Sequence, residues 1–393
     1  MRILRLIQTL NPAVGGPIES VRQSSAALQE RGHQVEVVIL DREGSPWLQG
    51  IPFPVHAVGS GRPGYGYAAR VKPWLGEHAL SFDAVLVHGL WQYLGFAAWR
   101  TLRHSTTPYF VFPHGMLDPW FAERYPLKHL KKRLYWPIES RVLADAEAVL
   151  FTSEEEKRQA EKLFFTKVKN ARVVAYGTAA PKVDLKAARA QFLARFPALQ
   201  GKRLVLFLGR LHDKKGCDLL LHGFAKAWRD RLGKEGFHLV VAGPAEASYL
   251  DSLKNLAGSL FPGRGAGEIP VTFAGMLSGD LKWGAFAASE VFILHSHQEN
   301  FGIAVAESLA CGTPVLISNK VNIWREIRED EAGFVEEDSA AGVERLLNRW
   351  ADLQDSDRAA MKDRARVTFG RRFEIGRATD SLVSVLAGNV PAS

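Results

Sequence analysis

Two carboxylates eight residues apart carry the clearest chemical signal in this sequence. Glu299 and Glu307 lie in Ser296-His297-Gln298-Glu299-Asn300-Phe301-Gly302-Ile303-Ala304-Val305-Ala306-Glu307, and Ala310-Cys311-Gly312-Thr313-Pro314-Val315 closes the run. A strand pattern, Val291–Leu294, precedes it, and a helix pattern opens near Phe301 and Gly302. A helix N-terminus at the carboxyl end of a parallel strand suits an anion, because its first N–H groups lack intrahelical acceptors and the dipole favours negative charge. Gly302 keeps that approach clear. Glu299 then lies near the group attached to a bound phosphate. Glu307, about two turns in, is at reach for a diol such as a ribose, which a carboxylate binds through two hydrogen bonds. Taken alone, the pair reads better as a helix cap, Glu299, and a surface residue, Glu307. The surrounding pattern favours chemistry.

Arg210 and Lys215 follow a second strand, in Leu206-Phe207-Leu208-Gly209-Arg210-Leu211-His212-Asp213-Lys214-Lys215-Gly216. Two fixed cations stabilise a departing diphosphate without a metal. Lys214 reads as solvated. Two more strand ends, Val240–Pro244 and Phe273–Leu277, fit the rim of a nucleotide pocket, and Met276 reads equally as core filler. Gly15-Gly16 after the first strand is not the Gly-x-Gly-x-x-Gly dinucleotide fingerprint, which argues against hydride transfer. His114, between proline and glycine in Phe112-Pro113-His114-Gly115, sits at another strand end. Trp91, Asp118 and Trp120 lie close to strand ends as well; sugars stack well on tryptophan, and Trp120 reads equally as packing. From Trp120 to Arg141, the basic residues Arg124, Lys128, Lys131, Lys132, Arg133 and Arg141 interleave with Phe121, Tyr125, Leu130, Leu134, Tyr135 and Trp136. That mixture suits a membrane surface or a lipid-linked acceptor, or a solvated helix with one buried stripe. No nucleic-acid module is present. Asp355-Ser356-Asp357 reads as surface charge, so neither a metal nor another cofactor is expected.

These residues need two scaffolds. The chain has 393 residues, 47% of them hydrophobic, and single cores stop growing near ~250–300 residues. Strand patterns at Ile3–Leu10, Val35–Leu40, Ala84–Val87, Tyr109–Phe112 and Ala148–Thr152 form one series. Those at Arg203–Leu208, His238–Ala242, Val271–Phe273, Val291–Leu294 and Val315–Ile317 form another. Their near-continuous apolar runs predict parallel sheets covered on both faces. Residues 181–202 read as a linker. The net charge of +8 suits any anionic partner. Cys217 and Cys311 cannot make a disulfide framework. The short apolar N-terminus is not a signal peptide, and no window of about 20 apolar residues occurs. A cytoplasmic protein, peripheral at most on the inner face of the cytoplasmic membrane, is the expectation.

The Glu299–Glu307 segment resembles the Glu-x7-Glu motif of retaining glycosyltransferases with the GT-B fold, family 4, and the resemblance runs in order through most of the chain. It implies an α/β architecture of two Rossmann-like, doubly wound domains facing each other across a cleft. An acceptor-binding domain would span 1–180 and a nucleotide-sugar domain 203–370, with a helix in 371–393 crossing back. It implies that Glu299 contacts the transferred sugar, that backbone N–H groups from Asn300 through Phe301, Gly302 and Ile303 hold sugar and phosphate, and that Glu307 binds the ribose. Arg210 and Lys215 would grip the diphosphate, Met276 and Leu277 the base, and Gly15-Gly16 the donor phosphate from the other domain. His114 would lie over the donor sugar and join Glu299, Arg210 and Lys215 as catalytic, with Trp91, Asp118 and Trp120 on the acceptor side. The implied reaction is metal-independent hexosyl transfer, with retention, to a glycan or lipid-linked glycan in bacterial exopolysaccharide or lipopolysaccharide assembly. A UDP-sugar, first UDP-glucose, is the expected donor, with GDP-mannose as the alternative. A sugar-nucleotide epimerase or hydrolase of the same shape, or a non-catalytic nucleotide-sugar-binding subunit, are the competing readings.

Overall fold

The structure is a computed structural model, and it describes residues 1–59, 64–162, 168, 170–265 and 267–388. Residues 389–393, at the end of the expected C-terminal helix, and the side chain of Lys128 lie outside the described residues. Two units form, Met1–Thr178 with Ile375–Ser393, and Ala179–Glu374.

The first unit holds β1 (Arg2–Leu6), β2 (Gln34–Ile39), β3 (Val55–Ala57), β4 (Ala84–His88), β5 (Tyr109–Phe112), β6 (Ala148–Phe151) and β7 (Ala171–Val173). They line up as β3-β2-β1-β4-β5-β6-β7, all parallel. Chain order therefore reverses between β1 and β4, the place where doubly wound sheets open a crevice outside their carboxyl ends. Six helices connect these strands: α1 (Gly16–Glu30), α2 (Val71–His78), α3 (Tyr93–Leu102), α4 (Trp120–Arg124), α5 (Pro126–Ala144) and α6 (Glu154–Lys162). Alternate strand residues point to opposite faces, and both faces are apolar. Leu4, Leu6, Val85, Val87, Val111 and Val149 pack with α2, α3 and α5. Ile3, Val35, Leu86, Phe110 and Leu150 pack on the other face with Leu28 of α1 and with Leu382, Val385 and Leu386 near the C-terminus.

The second unit holds β8 (Arg203–Leu208), β9 (Phe237–Ala242), β10 (Val271–Gly275), β11 (Val291–Leu294), β12 (Val315–Ser318) and β13 (Gly333–Glu336), in the parallel order β10-β9-β8-β11-β12-β13. Its reversal lies between β8 and β11. Its helices are α7 (Leu185–Arg195), α8 (Cys217–Ala227), α9 (Ala247–Leu260), α10 (Gly279–Ala288), α11 (Ile303–Ala310), α12 (Trp324–Glu329), α13 (Ala340–Asp352) and α14 (Asp355–Thr368). The chain's last helix, α15 (Ile375–Leu386), belongs to the first unit, where the Ile375 N–H donates to the Thr178 carbonyl at 3.1 Å and Arg31 pairs with Asp380 at 2.6 Å.

Some sequence expectations change here. Residues 181–202 are not a free linker. Asp184 caps α7 by accepting the Lys186 N–H at 2.8 Å, and Phe192 is fully buried. The helix packs so closely on α10 that a Cβ at Gly284 would fall 2.1 Å from the Ala188 carbonyl oxygen. β1 ends at Leu6 rather than Leu10, because the Thr9 hydroxyl and the Leu10 N–H turn to donate to the Asp41 carboxylate at 2.7 and 2.9 Å. Strands β3, β7 and β13 went unrecognised. All three are short sheet edges, and His56, Arg172 and Gly333 break their apolar runs. Among the described residues, no helix is long and apolar enough to cross a membrane.

Candidate functional site

The loops leaving β8 and β11 flank the reversal of the second sheet, and they are stitched together. The His297 N–H donates to the Lys214 carbonyl at 2.9 Å. Gly216 has φ 62°, and a Cβ there would lie 2.3 Å from the His295 carbonyl oxygen. Only glycine fits that approach with that backbone. Lys215 is thereby presented to Glu299, and their ammonium and carboxylate form an ion pair. Burial, reinforced by the charges of Lys214 and Arg210, pulls the Lys215 ammonium below the usual lysine range. The Glu299 carboxylate supplies its counter-charge. Arg210, on the same loop, is exposed. The loop after β12 fixes Glu299 from the other side: its N–H donates to the Lys320 carbonyl, and its carbonyl accepts the Asn322 N–H, both at 2.9 Å. Below the pair, His297 bonds Asp338 at 2.9 Å, and that contact raises its pKa.

Three residues after Glu299, Gly302 adopts φ 79° and caps α11. The first two N–H groups of α11, those of Ile303 and Ala304, therefore begin beside the Lys215–Glu299 pair, ahead of the Val305 and Ala306 N–H groups that donate to the Gly302 carbonyl. Phe301 is buried edge-on against Phe373, with ring centroids 5.6 Å apart, while Asn300 and Ile303 are partly exposed. Glu307 is 5% exposed and pairs with Lys282 of α10 at 2.7 Å. Met276 is 72% exposed and Leu277 is buried. Both follow β10, two strands away from β8 on the same carboxyl edge. Asp355 of the Asp-x-Asp sequence opens α14 and pairs with Arg358 at 2.7 Å.

The first unit builds a different cluster at its own reversal. Gly15, with φ 114°, and Gly16 open α1 as an exposed turn. His88 ends β4, and His114 follows β5 in the left-handed region at φ 50°. The His88 Nδ1 and His114 Nε2 atoms share a hydrogen bond of 2.9 Å, and both rings stack on Phe112 at 5.3 and 5.4 Å. Burial, with the Arg5 guanidinium next, pulls the His114 imidazole down to about 4, and burial holds His88 well below its ordinary value too. Both are neutral at physiological pH. The turn carrying His114 is fixed by Glu156, whose carboxylate accepts the Gly115 N–H at 2.6 Å and the Thr152 N–H and hydroxyl at 2.7 Å each. Trp91, at φ 62°, donates its N–H to Glu139 of α5 at 3.1 Å and packs against Trp136. The Asp118 carboxylate accepts the Trp120 N–H at 2.9 Å, so it caps α4, and Trp120 packs on Phe121 and Tyr125.

Lys215, Glu299 and the start of α11 thus come together, and so do His114, His88 and Glu156. Lys282, Glu139, Glu156 and Arg5 escaped the sequence reading. A signal existed for Glu156: Ser153-Glu154-Glu155-Glu156 has capping-box spacing. Ser153 does cap α6, accepting the Glu156 N–H at 3.1 Å. The glutamate continues beyond the box to Gly115.

Comparison with known proteins places these units. Residues 15–177 match a family described as glycosyl transferase 4-like domain, and residues 190–368 one described as glycosyl transferases group 1. Mannosylfructose-phosphate synthase of Agrobacterium fabrum is 33% identical over 145 residues, 36% of this chain and 30% of that protein. D-inositol 3-phosphate glycosyltransferase of Thermomonospora curvata is 32% identical over 213 residues, 50% of this chain and 47% of that protein. The matched stretches thus span less than half of each relative. The crystal structure of Anabaena HepE in complex with UDP and glucose superposes with a TM-score of 0.76 at 17% identity, covering 98% of this chain and 99% of that one. That likeness is one of fold.

Proposed function

The chain belongs to the GT-B glycosyltransferases of the family 4 type, and from that premise we propose that it transfers a hexosyl group, with retention and without a metal, from a nucleoside diphosphate sugar to a glycan or lipid-linked glycan hydroxyl. One observation carries the reading: Lys215 and Glu299 meet at the strand reversal of the second unit, beside the N-terminus of α11. A diphosphate arriving there takes Lys215 and Arg210 as its cations and the α11 N–H groups as donors. Glu299, released from Lys215, is then available to the sugar hydroxyls. Glu307, braced by Lys282 at 2.7 Å, is the carboxylate for a ribose diol.

In the reacting complex the bond from the anomeric carbon to the diphosphate oxygen breaks. A bond to the acceptor oxygen forms on the same face, and the acceptor proton passes to the departing phosphate oxygen. The negative charge that develops lies beside Lys215 and the helix N-terminus, which the fold already positions, with Arg210 on the same loop as Lys215. Removing one such contact costs roughly 2.7–4 kcal/mol of transition-state stabilisation. His114, neutral, serves as a hydrogen-bonding group for a sugar hydroxyl rather than as a charge. UDP-glucose is the first donor to test, since the similarly folded HepE is a complex with UDP and glucose. GDP-mannose is the alternative.

A lipid-linked acceptor is supported by α5. Leu127, Leu130 and Leu134, spaced along one side of the helix, are 80%, 56% and 77% exposed, with exposed Lys131 and Arg133 beside them. A buried stripe would not be this open. Exposed leucines flanked by cations suit an anionic bilayer surface.

The test is nucleotide release from UDP-glucose and GDP-mannose in EDTA, with and without glycan and lipid-linked acceptors. Acceptor-dependent release, abolished in Glu299→Ala and Lys215→Ala, is expected. Failure to bind any nucleotide sugar overturns the reading. Epimer formation without acceptor moves the protein to the epimerase class.

A further inference from the structure

Arg5 stands in the middle of β1, paired in register with Val37 and Leu86, where the neighbouring strands carry aliphatic residues. It is 1% exposed. Its Nη1 donates to the Ser24 hydroxyl at 2.8 Å and to the Val21 carbonyl at 3.4 Å. Its Nε–H has no acceptor. Among the described residues no carboxylate reaches it. The groups around it carry no compensating charge either: His88 and His114 are held neutral, and the Tyr176 hydroxyl is held protonated by burial. Glu156 is near enough to bear on Tyr176, but Thr152 and Gly115 hold it. A charge taken out of water without a partner costs several kcal/mol.

Beside this guanidinium lies a cavity of about 30 Å³, lined by Arg5, Ser20, Ser24 and His88, with apolar walls from Phe112 and from Leu382 of α15. The His88 Nε2, buried and also without a partner, belongs to the same lining. Two orphaned polar atoms and one unpaired cation thus share a space with room for at least one water or one monatomic ion. A water would satisfy the orphaned atoms and leave the charge uncompensated. A monatomic anion meets both orphaned donors and supplies the missing charge.

We propose that this cavity binds one small monovalent anion of the chloride class, held by the Arg5 guanidinium. With His114 donating to His88 Nδ1, the His88 Nε2 carries a proton and adds a second donor to the ion. The Ser24 hydroxyl, which donates to the Ser20 carbonyl at 2.6 Å and accepts from Arg5, holds the guanidinium in place beside the ion. α15 closes the space, so the ion ties the C-terminal helix to the first sheet. This site is separate from the Lys215–Glu299 pair and does not depend on the proposed transfer reaction.

The full-length protein is melted in sodium chloride and in sodium gluconate at equal ionic strength. Chloride is expected to raise the melting temperature along a saturating curve that gluconate does not reproduce and that Arg5→Met abolishes. In gluconate, Arg5→Met should melt at or above the wild-type temperature, because it removes an uncompensated buried cation. Should Arg5→Met not fold, the wild-type protein alone decides: the ³⁵Cl resonance broadens on adding protein and sharpens again when bromide competes. Coincident chloride and gluconate curves with no ³⁵Cl broadening would overturn the proposal and leave a buried water in the cavity. Inorganic phosphate displacing chloride at lower concentration would overturn it in favour of an oxyanion site.

Discussion

Glu139 offers a prediction whose size follows from its surroundings. It lies on α5, 5% exposed, and accepts the N–H of Trp91, a residue held at φ 62°. Burial raises its carboxyl from 4.5 to about 7, and the Trp91 hydrogen bond only partly opposes that. The folded protein therefore keeps a proton, between those two pH values, that the unfolded chain has released. Stability falls as pH rises through that window, since the unfolded state binds fewer protons there. At 1.36 kcal/mol per pH unit, the loss is about 3 kcal/mol by pH 8. Glu139→Gln keeps an oxygen to accept the Trp91 N–H and removes the charge. The variant should match the wild type near pH 4.5 and become the more stable protein by up to ~3 kcal/mol at pH 8, less whatever an unpartnered amide N–H costs. Urea unfolding at pH 5 and pH 8 measures this, with hydrogen exchange of residues 84–112 assigning the transition to the first unit. A stability gap that does not change with pH, or a glutamine variant that is the less stable at pH 8, would refute the reasoning.

Four further outcomes are expected. Gly216→Ala should leave the second unit folded by circular dichroism but weaken UDP binding at least tenfold in calorimetry, because a left-handed alanine costs about 1–2 kcal/mol before the contact with the His295 carbonyl is relieved. Glu156→Ala should lower the denaturation midpoint, since each buried donor left without an acceptor costs about 1–3 kcal/mol, whereas Glu156→Gln should keep part of that stability. Glu299→Gln removes the counter-charge of Lys215, whose ammonium burial already pulls to about 7, so UDP affinity in this variant should decline at a lower pH than in the wild type. Leu127→Ser with Leu134→Ser should lose co-sedimentation with anionic vesicles and keep the wild-type melting temperature; vesicle binding that survives the double change would remove α5 from the acceptor reading.

Much of the fold was legible because the interior strands are apolar on both sides. Val35, Val37 and Val38 of β2, or Phe292, Ile293 and Leu294 of β11, face helices in either direction, so their runs are continuous and easily seen. Edge strands lack that requirement. β3 carries His56, bonded to Glu36 at 2.7 Å, and β7 carries an exposed Arg172, so neither presents a run. The stretch around α7 misled for the opposite reason. Pro181, Pro197 and scattered charges resemble a linker, and only the tertiary fit of Ala188 and Phe192 against the bare backbone of Gly284 makes it part of a domain.

The site divides along the same line. Glu299, Glu307, Lys215 and Gly302 were visible because each carries its chemistry in its own segment: the turn after β8 places Lys215, and the end of β11 with the N-terminus of α11 places the other three. The residues that hold them were not. Lys282 reaches Glu307 from another helix, and Glu156 reaches Gly115 from 41 positions away. Arg5 shows most plainly why. In the sequence it is one basic residue at the start of a chain with 50 lysines and arginines. Its burial, its missing carboxylate and the cavity beside it exist only once β1, β4, α1 and α15 have assembled. A charge pattern along a chain shows where a ligand can be gripped by neighbours in sequence, whereas an uncompensated charge is a property of the assembled core. The net charge of +8 therefore says little about this protein's partners, and the position of a single buried cation says more.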